Sequence, residues 1–232
     1  MATINKKDFV EVEYSGRLKD NNVLFDTTDE ALAKQEKVHN PRMKYGPVVI
    51  CIGEGHILGA IDEFLIGKET DKEYALALDP ENAFGKKNAK LLKIIPLSKF
   101  KKQKINPVIG LQVNIDGVYG IIKTVTGGRT IVDFNHPLSG RGVIYTIKAN
   151  KIITDTKEKA ESLLSMLLNL SDIDIEIKNE TLTIMINKEA PTRLQSKLNE
   201  KITALIPEIK KVEYLLKSQD KKPEIKKPEI KE

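Results

Sequence analysis

The sequence lacks tryptophan, contains one cysteine among its 232 residues, and is poor in aromatic residues, at 5%. The single cysteine, Cys51, cannot form an internal disulfide, which is typical of proteins from reducing compartments, and we therefore expect a cytoplasmic location. The scarcity of aromatic rings disfavours a broad stacking surface for single-stranded nucleic acid.

Long apolar stretches and metal-ligand patterns are also missing. The sequence has no run of 18 apolar residues and no apolar N-terminal segment of the signal type, so we expect neither a membrane span nor secretion. Its three histidines, His39, His56 and His136, share no ligand spacing, and a cysteine pair is absent. We therefore expect no metal and no cofactor.

Charge is distributed unevenly along the chain. Residues 1–85 contain ten basic against sixteen acidic side chains, whereas residues 86–104 contain eight lysines and no acid. Such a lysine-rich segment is usually a solvated face of a folded unit. The alternative is a basic surface that contacts RNA, a ribosome or acidic polypeptides.

The pattern of residues 1–85 predicts an antiparallel α+β unit. Residues 9–18 alternate apolar and polar side chains, as in a half-buried strand. Residues 73–80 alternate again, and this pattern ends at Pro80. Short alternating strands separated by glycine turns then follow at residues 108–116, 120–126 and 129–134, and residues 142–152 form one more regular strand.

The pattern changes after Thr154. Leucines at helical spacing, two alternating strands joined through Asn179, a second helix and a last strand predict an α-β-β-α-β module over residues 154–216, which we expect to be self-sufficient. Residues 217–232 repeat KKPEI without apolar periodicity, which predicts a disordered tail.

The stretch VVICIGEGHILGAIDEFLIG, residues 48–67, has glycines 53, 55 and 59 near the spacing of a dinucleotide-binding turn. A dinucleotide fold also requires a second buried parallel strand after a full-length helix. Here the predicted helix has only about two turns, and the next strand alternates as an exposed one does. We therefore interpret the glycines as a sharp structural turn that lets a short helix lie close to a sheet.

Five motifs occur in an order that resembles a known enzyme family. They are Tyr14, LFD at residues 24–26, GEGHILGAIDEFLIG, ENAFG ending at Gly85, and VIYTI around Tyr145. The set resembles the FK506-binding-protein (FKBP) type peptidyl-prolyl cis–trans isomerases. The DFNHPLSG sequence and the segment before it resemble the insert-in-flap chaperone domain of the SlyD branch, and the extra C-terminal residues resemble the long archaeal form.

The resemblance implies an architecture. It predicts an α+β fold with an FKBP-like antiparallel half-barrel sheet wrapping a short helix, an inserted small β domain, and the C-terminal α-β-β-α-β domain. The expected boundaries are 1–85 with 142–153 for the isomerase, 86–141 for the insert, 154–216 for the C-terminal domain and 217–232 for the tail.

The resemblance also implies site residues. Tyr14, Asp26, Phe84 and Tyr145 fall on its catalytic positions, and Phe25, Val48, Ile57, Leu58 and Ile61 on its substrate-binding positions. Ile61 stands where the family usually has an aromatic residue or Leu, which implies a smaller pocket floor. At His56 the backbone, and not the side chain, is expected to hold the peptide.

The expected function is therefore prolyl isomerisation together with folding-chaperone activity on unfolded or nascent polypeptides. The alternative is a chaperone with weak or no isomerase activity, and a ribosome-associated factor is a third hypothesis that depends on residues 86–104. We expect a homodimer through the C-terminal domain, against the alternative of a monomer whose C-terminal domain binds clients or the ribosome. No membrane partner is expected.

Overall fold

A computed structural model describes residues 1–168, 173–187 and 191–216. Leu170 of the predicted helical stripe and the predicted tail, residues 217–232, lie outside these ranges. The strands are β1 (Phe9–Leu18), β2 (Leu24–Thr27), β3 (Val48–Cys51), β4 (Lys72–Leu78), β5 (Leu92–Pro96), β6 (Gln112–Ile115), β7 (Val118–Thr126), β8 (Arg129–Asp133), β9 (Val143–Ile153), β10 (Asp174–Lys178), β11 (Thr181–Ile186) and β12 (Lys211–Leu216). The α-helices are α1 (Glu30–Gln35), α2 (Gly59–Leu65), α3 (Leu97–Lys102), α4 (Thr156–Leu168) and α5 (Thr192–Leu205).

The first sheet is antiparallel, as its alternating sequence predicts. Its strand order is β2-β1-β9-β4, and β3 pairs with the first half of β1. The long pairing of β1 with β9 runs from Phe9 opposite Ile153 to Leu18 opposite Val143. Residues 143–153 thus lie in one sheet with the N-terminal strands, although more than fifty residues separate β4 from β9.

Helix α2 packs on one face of this sheet. Ile61 and Leu65 are fully buried against Val10, Val12 and Ile147 of the central strands. The next strand, β4, pairs antiparallel with β9, so the glycine-rich turn before α2 does not open a parallel βαβ unit.

The residues between β4 and β9 form a second sheet, with strand order β5-β8-β7-β6. Three of these strands follow the predicted pattern, but β5 and α3 occupy the lysine-rich segment, to which the sequence analysis gave no element. Ile95 and Phe100 of this segment are buried in the core of the second sheet, while the lysines around them are exposed.

The C-terminal residues follow the order α4, β10, β11, α5 and β12. Strands β10 and β11 form a hairpin through Asn179 and Glu180, both with positive φ, and β12 runs parallel to β11. The apolar core here also contains Phe9, Cys51 and Ile153 of the first sheet, so the C-terminal residues pack on that sheet, and their self-sufficiency stays a prediction. The second face of β1 and β3 is therefore covered by C-terminal residues.

Candidate active site

Four aromatic rings meet where β1, β2 and β9 approach the loop after β4. The ring centroids of Phe25 and Tyr145 are 5.7 Å apart, those of Phe25 and Phe84 are 5.8 Å apart, and those of Tyr14 and Tyr145 are 6.1 Å apart. The Phe25 contacts are edge-to-face, a favourable geometry for aromatic pairs. We call these four rings the ring site.

Pairing of the strands places the rings. Gly16 lies opposite both Tyr145 on β9 and Asp26 on β2. A Cβ atom at Gly16 would lie 2.7 Å from Cζ of Phe25 and 3.0 Å from Cε1 of Tyr145. Glycine is therefore required here for the two rings to approach the backbone, a requirement that the sequence analysis missed.

A half-buried polar pair lies among the rings. The hydroxyl of Tyr14 donates a hydrogen bond to the carboxylate of Asp26. Burial raises the pKa of Asp26, although the hydrogen bonds from the Thr27 backbone and Tyr14 oppose this shift. Burial, and then the charge of Asp26, raise the pKa of Tyr14 to about 12, and the same two causes raise the pKa of Tyr145. Both phenols are therefore neutral at physiological pH.

The apolar residues predicted for the site join the same cluster. Ile61 is fully buried, and Val48, Ile57 and Leu58 are half-buried against it. The structure thus brings together all nine residues predicted from the sequence, while their roles in binding and catalysis stay predictions.

The turn that carries Ile57 and Leu58 is fixed by one buried carboxylate. Gly53 and Gly55 have φ of +88° and +69°, which favours glycine. Their backbone N–H groups donate to the two oxygens of Asp62, at 2.8 and 3.0 Å, and Asp62 is 4% exposed. The glycine motif therefore serves as a turn clamped by Asp62.

His56 lies in this turn and points inward. Its Nδ1 atom accepts a hydrogen bond from the backbone N–H of Cys51 at 3.1 Å. Its Nε2 atom is buried and has no hydrogen-bond partner among the described residues. Burial lowers the pKa of His56, which favours the neutral ring.

His136 completes the rim of the ring site and was not predicted. Its ring stacks on Phe84, with centroids 4.8 Å apart and planes 3° apart. Ser139 Oγ donates to the backbone oxygen of Phe84 at 3.1 Å. The NHPLSG sequence was interpreted only as part of the family resemblance, because nothing local shows that the chain returns to Phe84 after the second sheet.

Comparison with known proteins is consistent with this geometry. The model of the family described as FKBP-type peptidyl-prolyl cis-trans isomerase matches residues 1–101, and the model described as FKBP26, IF domain matches residues 93–138. A short-type peptidyl-prolyl cis-trans isomerase from Methanocaldococcus jannaschii is 30% identical over 149 residues, which cover 64% of this chain and 94% of the relative.

The chain belongs to the FKBP-type peptidyl-prolyl cis–trans isomerase family. Of two further relatives of this FKBP-type chain, one is a SlyD isomerase. The FKBP-type 16 kDa isomerase of Escherichia coli K12 is 28% identical over 46% of this chain and 74% of its own length. The SlyD isomerase of Vibrio cholerae is 24% identical over 46% of this chain and 55% of its own length.

The FKBP-type chain has no group of three or more potential metal ligands within residues 1–168, 173–187 and 191–216. None of the helices in those same ranges is both long and apolar enough to cross a membrane.

Proposed function

We propose that the ring site accelerates cis–trans isomerisation of X-Pro bonds in unfolded or nascent polypeptides. The observation that carries this proposal is the Tyr14–Asp26 pair, with its neutral phenol, among three further aromatic rings over the buried Ile61. The site is apolar, as binding of a proline ring requires, and polar at one point, where a peptide group can be oriented.

The chemistry requires no nucleophile. An X-Pro bond crosses a barrier of about 20 kcal/mol between isomers that differ by about 1 kcal/mol, and the uncatalysed exchange takes tens of seconds or more. The transition state is a twisted amide that has lost resonance and is less dipolar than the planar amide. A water-poor pocket that holds the proline therefore lowers the barrier.

Each group of the site has a proposed role. Phe25, Phe84, Tyr145 and Ile61 enclose the proline, and Val48, Ile57 and Leu58 line the approach. The Tyr14–Asp26 pair orients the substrate carbonyl as it rotates. The backbone of the turn at His56 holds the peptide, and the clamp of this turn by Asp62 supports that role.

A tetrapeptide assay tests this site. We expect Phe84→Ala to lower kcat/KM about tenfold or more, because an open pocket admits water and releases the proline. Val118→Ala is the matched control, since Val118 is exposed on the second sheet. Equal activity of the Phe84→Ala variant and the wild type would contradict the proposed site.

We further propose that the second sheet holds unfolded chains during folding. Leu92, Ile94, Ile131 and Tyr119 share its outer face by register, and Ile94 and Tyr119 are 64% and 65% exposed. Among the described residues, β5 pairs only with β8, so its other edge is open to an extended chain. Such an edge supports binding by β-augmentation.

Tethering makes this holding surface effective. A client held at the second sheet has a high effective concentration at the ring site. Isomerisation is therefore accelerated more in a protein client, which reaches both sites, than in a short peptide. The exposed lysines of α3, Lys99, Lys101 and Lys102, also favour acidic clients.

A deletion separates the two activities. The chain enters and leaves the second sheet at Asn88 and Asn135, where Asn88 N donates to Asn135 Oδ1 at 2.8 Å and Asn135 Nδ2 donates back to Asn88 O at 3.1 Å. Replacing residues 89–134 with a short glycine linker should retain tetrapeptide activity and lower the acceleration of protein refolding about 100-fold. Unaltered refolding activity would overturn the holding role.

A second candidate function is contact with a ribosome, favoured by the lysines that α3 exposes. Salt-sensitive co-sedimentation with ribosomes, lost after charge reversal of Lys99, Lys101 and Lys102, would support it. Retention of full binding by this variant would contradict it.

We propose a cytoplasmic homodimer formed through β12. This edge strand pairs only with β11 among the described residues, and Leu215 and Leu216 are 55% and 62% exposed. An open apolar edge of this kind favours pairing with a second copy. Sedimentation should give a dimer that Leu215→Lys converts to a monomer, and a wild-type monomer would contradict this.

A further inference from the structure

Helix α4 forms one wall of a cleft beside the ring site. The cleft has a volume of about 300 Å³. One wall comes from Tyr45 and Pro47 of the loop before β3 and from Val48 of β3, and the other from α4, with Glu161, Ser162 and Met166. We call it the α4 cleft.

The α4 cleft adjoins the ring site. Val48 lines the cleft and also packs against the apolar cluster of the site. Met166 packs against that same cluster, whereas Leu163 and Leu164 of the same helix are buried in the C-terminal core. Tyr45 lines both the α4 cleft and a hollow beside Asp26. One C-terminal side chain thus reaches the isomerase core itself.

The lining of the cleft suits a side chain of a polypeptide. Its size is at the lower end of the range for binding pockets, about 300–1,000 Å³. Tyr45, Pro47, Val48 and Met166 provide apolar walls, and a methionine adapts its shape to different side chains. Serine hydroxyls at Ser162 and Ser165 can bond to peptide groups at the margin.

We propose that the α4 cleft binds an apolar side chain of the substrate polypeptide next to the prolyl bond, so that the C-terminal residues are part of the substrate-binding surface. The inference rests on the proposed placement of proline in the ring site. An extended chain advances about 3.3 Å per residue, so a few residues of the substrate extend from the ring site past Val48.

A pair of matched variants tests the inference. Glu161 Oε1 and Lys157 Nζ form an ion pair at 3.8 Å, one turn apart on α4, and both side chains are exposed. Glu161→Trp and Lys157→Trp remove the same ion pair and add the same indole, but only position 161 lines the cleft. Glu161→Gln controls for charge, and Ser162→Trp fills the cleft more deeply.

The measurement is kcat/KM for a proline tetrapeptide and for two longer peptides. Each longer peptide carries three extra residues that include Leu, added before the proline sequence in one peptide and after it in the other. We expect one extension to raise the wild-type kcat/KM about tenfold, the effect of partly burying one apolar side chain. Glu161→Trp and Ser162→Trp should reduce this gain to less than twofold. Lys157→Trp and Glu161→Gln control for the loss of the ion pair and its charge. Peptides extended with Ser in place of Leu control for peptide length.

Two outcomes would overturn the inference: no gain from either extension, or a gain that survives Glu161→Trp. Because Glu161 is exposed, its variant decides the matter even if circular dichroism shows that Ser162→Trp misfolds. A failure of the ring-site proposal is distinguishable, since the wild type would then leave the tetrapeptide unaccelerated.

Discussion

Gly16 shows how a single residue limits the ring site. The Phe25 and Tyr145 rings occupy the space that a side chain at position 16 would need. No sequence motif marks this glycine as special, because the requirement comes from a residue on β2 and another on β9. The aromatic residues of the site were predictable from their order along the chain. The need for a glycine at position 16, where two of their rings lie, was not.

We predict that Gly16→Ala lowers the free energy of unfolding by about 1–3 kcal/mol, because the added methyl group overpacks the rings. The tetrapeptide kcat/KM should fall with it, as Phe25 moves. Denaturant unfolding measures the first effect. Gly59→Ala is the control, since a Cβ there meets no heavy atom within 4 Å, and equal stability of the two variants would contradict the packing argument.

Asp26 gives a prediction about pH. Its pKa is raised by burial above the ordinary value of 3.8, so the folded state holds this proton more tightly than the unfolded state does. Ionisation of Asp26 therefore destabilises the folded protein as pH rises through the folded pKa. We predict that Asp26→Asn is more stable than the wild type at pH 7, and that this advantage disappears below about pH 3.8.

Thermal unfolding of the wild type and Asp26→Asn between pH 3 and pH 8 measures this difference in stability. The contributions of all other carboxylates to the pH dependence are the same in both proteins and cancel. We expect Asp26→Asn to lose isomerase activity while it gains stability, because residues that serve function commonly reduce stability. A constant difference across the pH range would show that burial of the charge is not the cause.

At the scale of elements, periodicity predicted some strands well and failed where charge obscured it. The β10–β11 hairpin was predicted because its apolar residues alternate strictly. Strand β5 and helix α3 were missed because lysines surround Ile95 and Phe100, and two buried side chains are too few to define a period. Ile95 pairs opposite Thr130 of strand β8, which lies more than thirty residues further along the chain.

The clamped turn before α2 leads to a second structural prediction. Asp62→Ala should lower the free energy of unfolding by about 2–4 kcal/mol, because the N–H groups of Gly53 and Gly55 lose a charged acceptor. The turn would loosen, and KM for the tetrapeptide should rise. Asp62→Asn retains one acceptor oxygen and should be intermediate; a wild-type KM in Asp62→Ala would show that the clamp does not position Ile57.

At the scale of the whole molecule, the C-terminal residues share a core with the isomerase sheet. Phe9 was predicted to lie in a strand, but the element that covers Phe9 and Cys51 was not predictable. Local patterns show that a face is apolar, whereas the choice of its cover depends on long-range packing.

We predict that Phe9→Ser destabilises the full chain by about 3 kcal/mol or more, because it places a hydroxyl and a cavity in the shared core. In a chain ending at Ile153 the same substitution should cost much less and should improve solubility, since Phe9 would then face water. Equal costs in the two chains, measured by denaturant unfolding, would contradict the shared core.

The central claim is that an enclosed aromatic pocket speeds rotation about prolyl bonds in folding chains. It is tested most directly by the rate of proline-limited refolding of a model protein with catalytic amounts of this chain. The account predicts strong acceleration by the wild type and almost none by the double variant Asp26→Ala with Phe84→Ala. Equal acceleration by both proteins would contradict it.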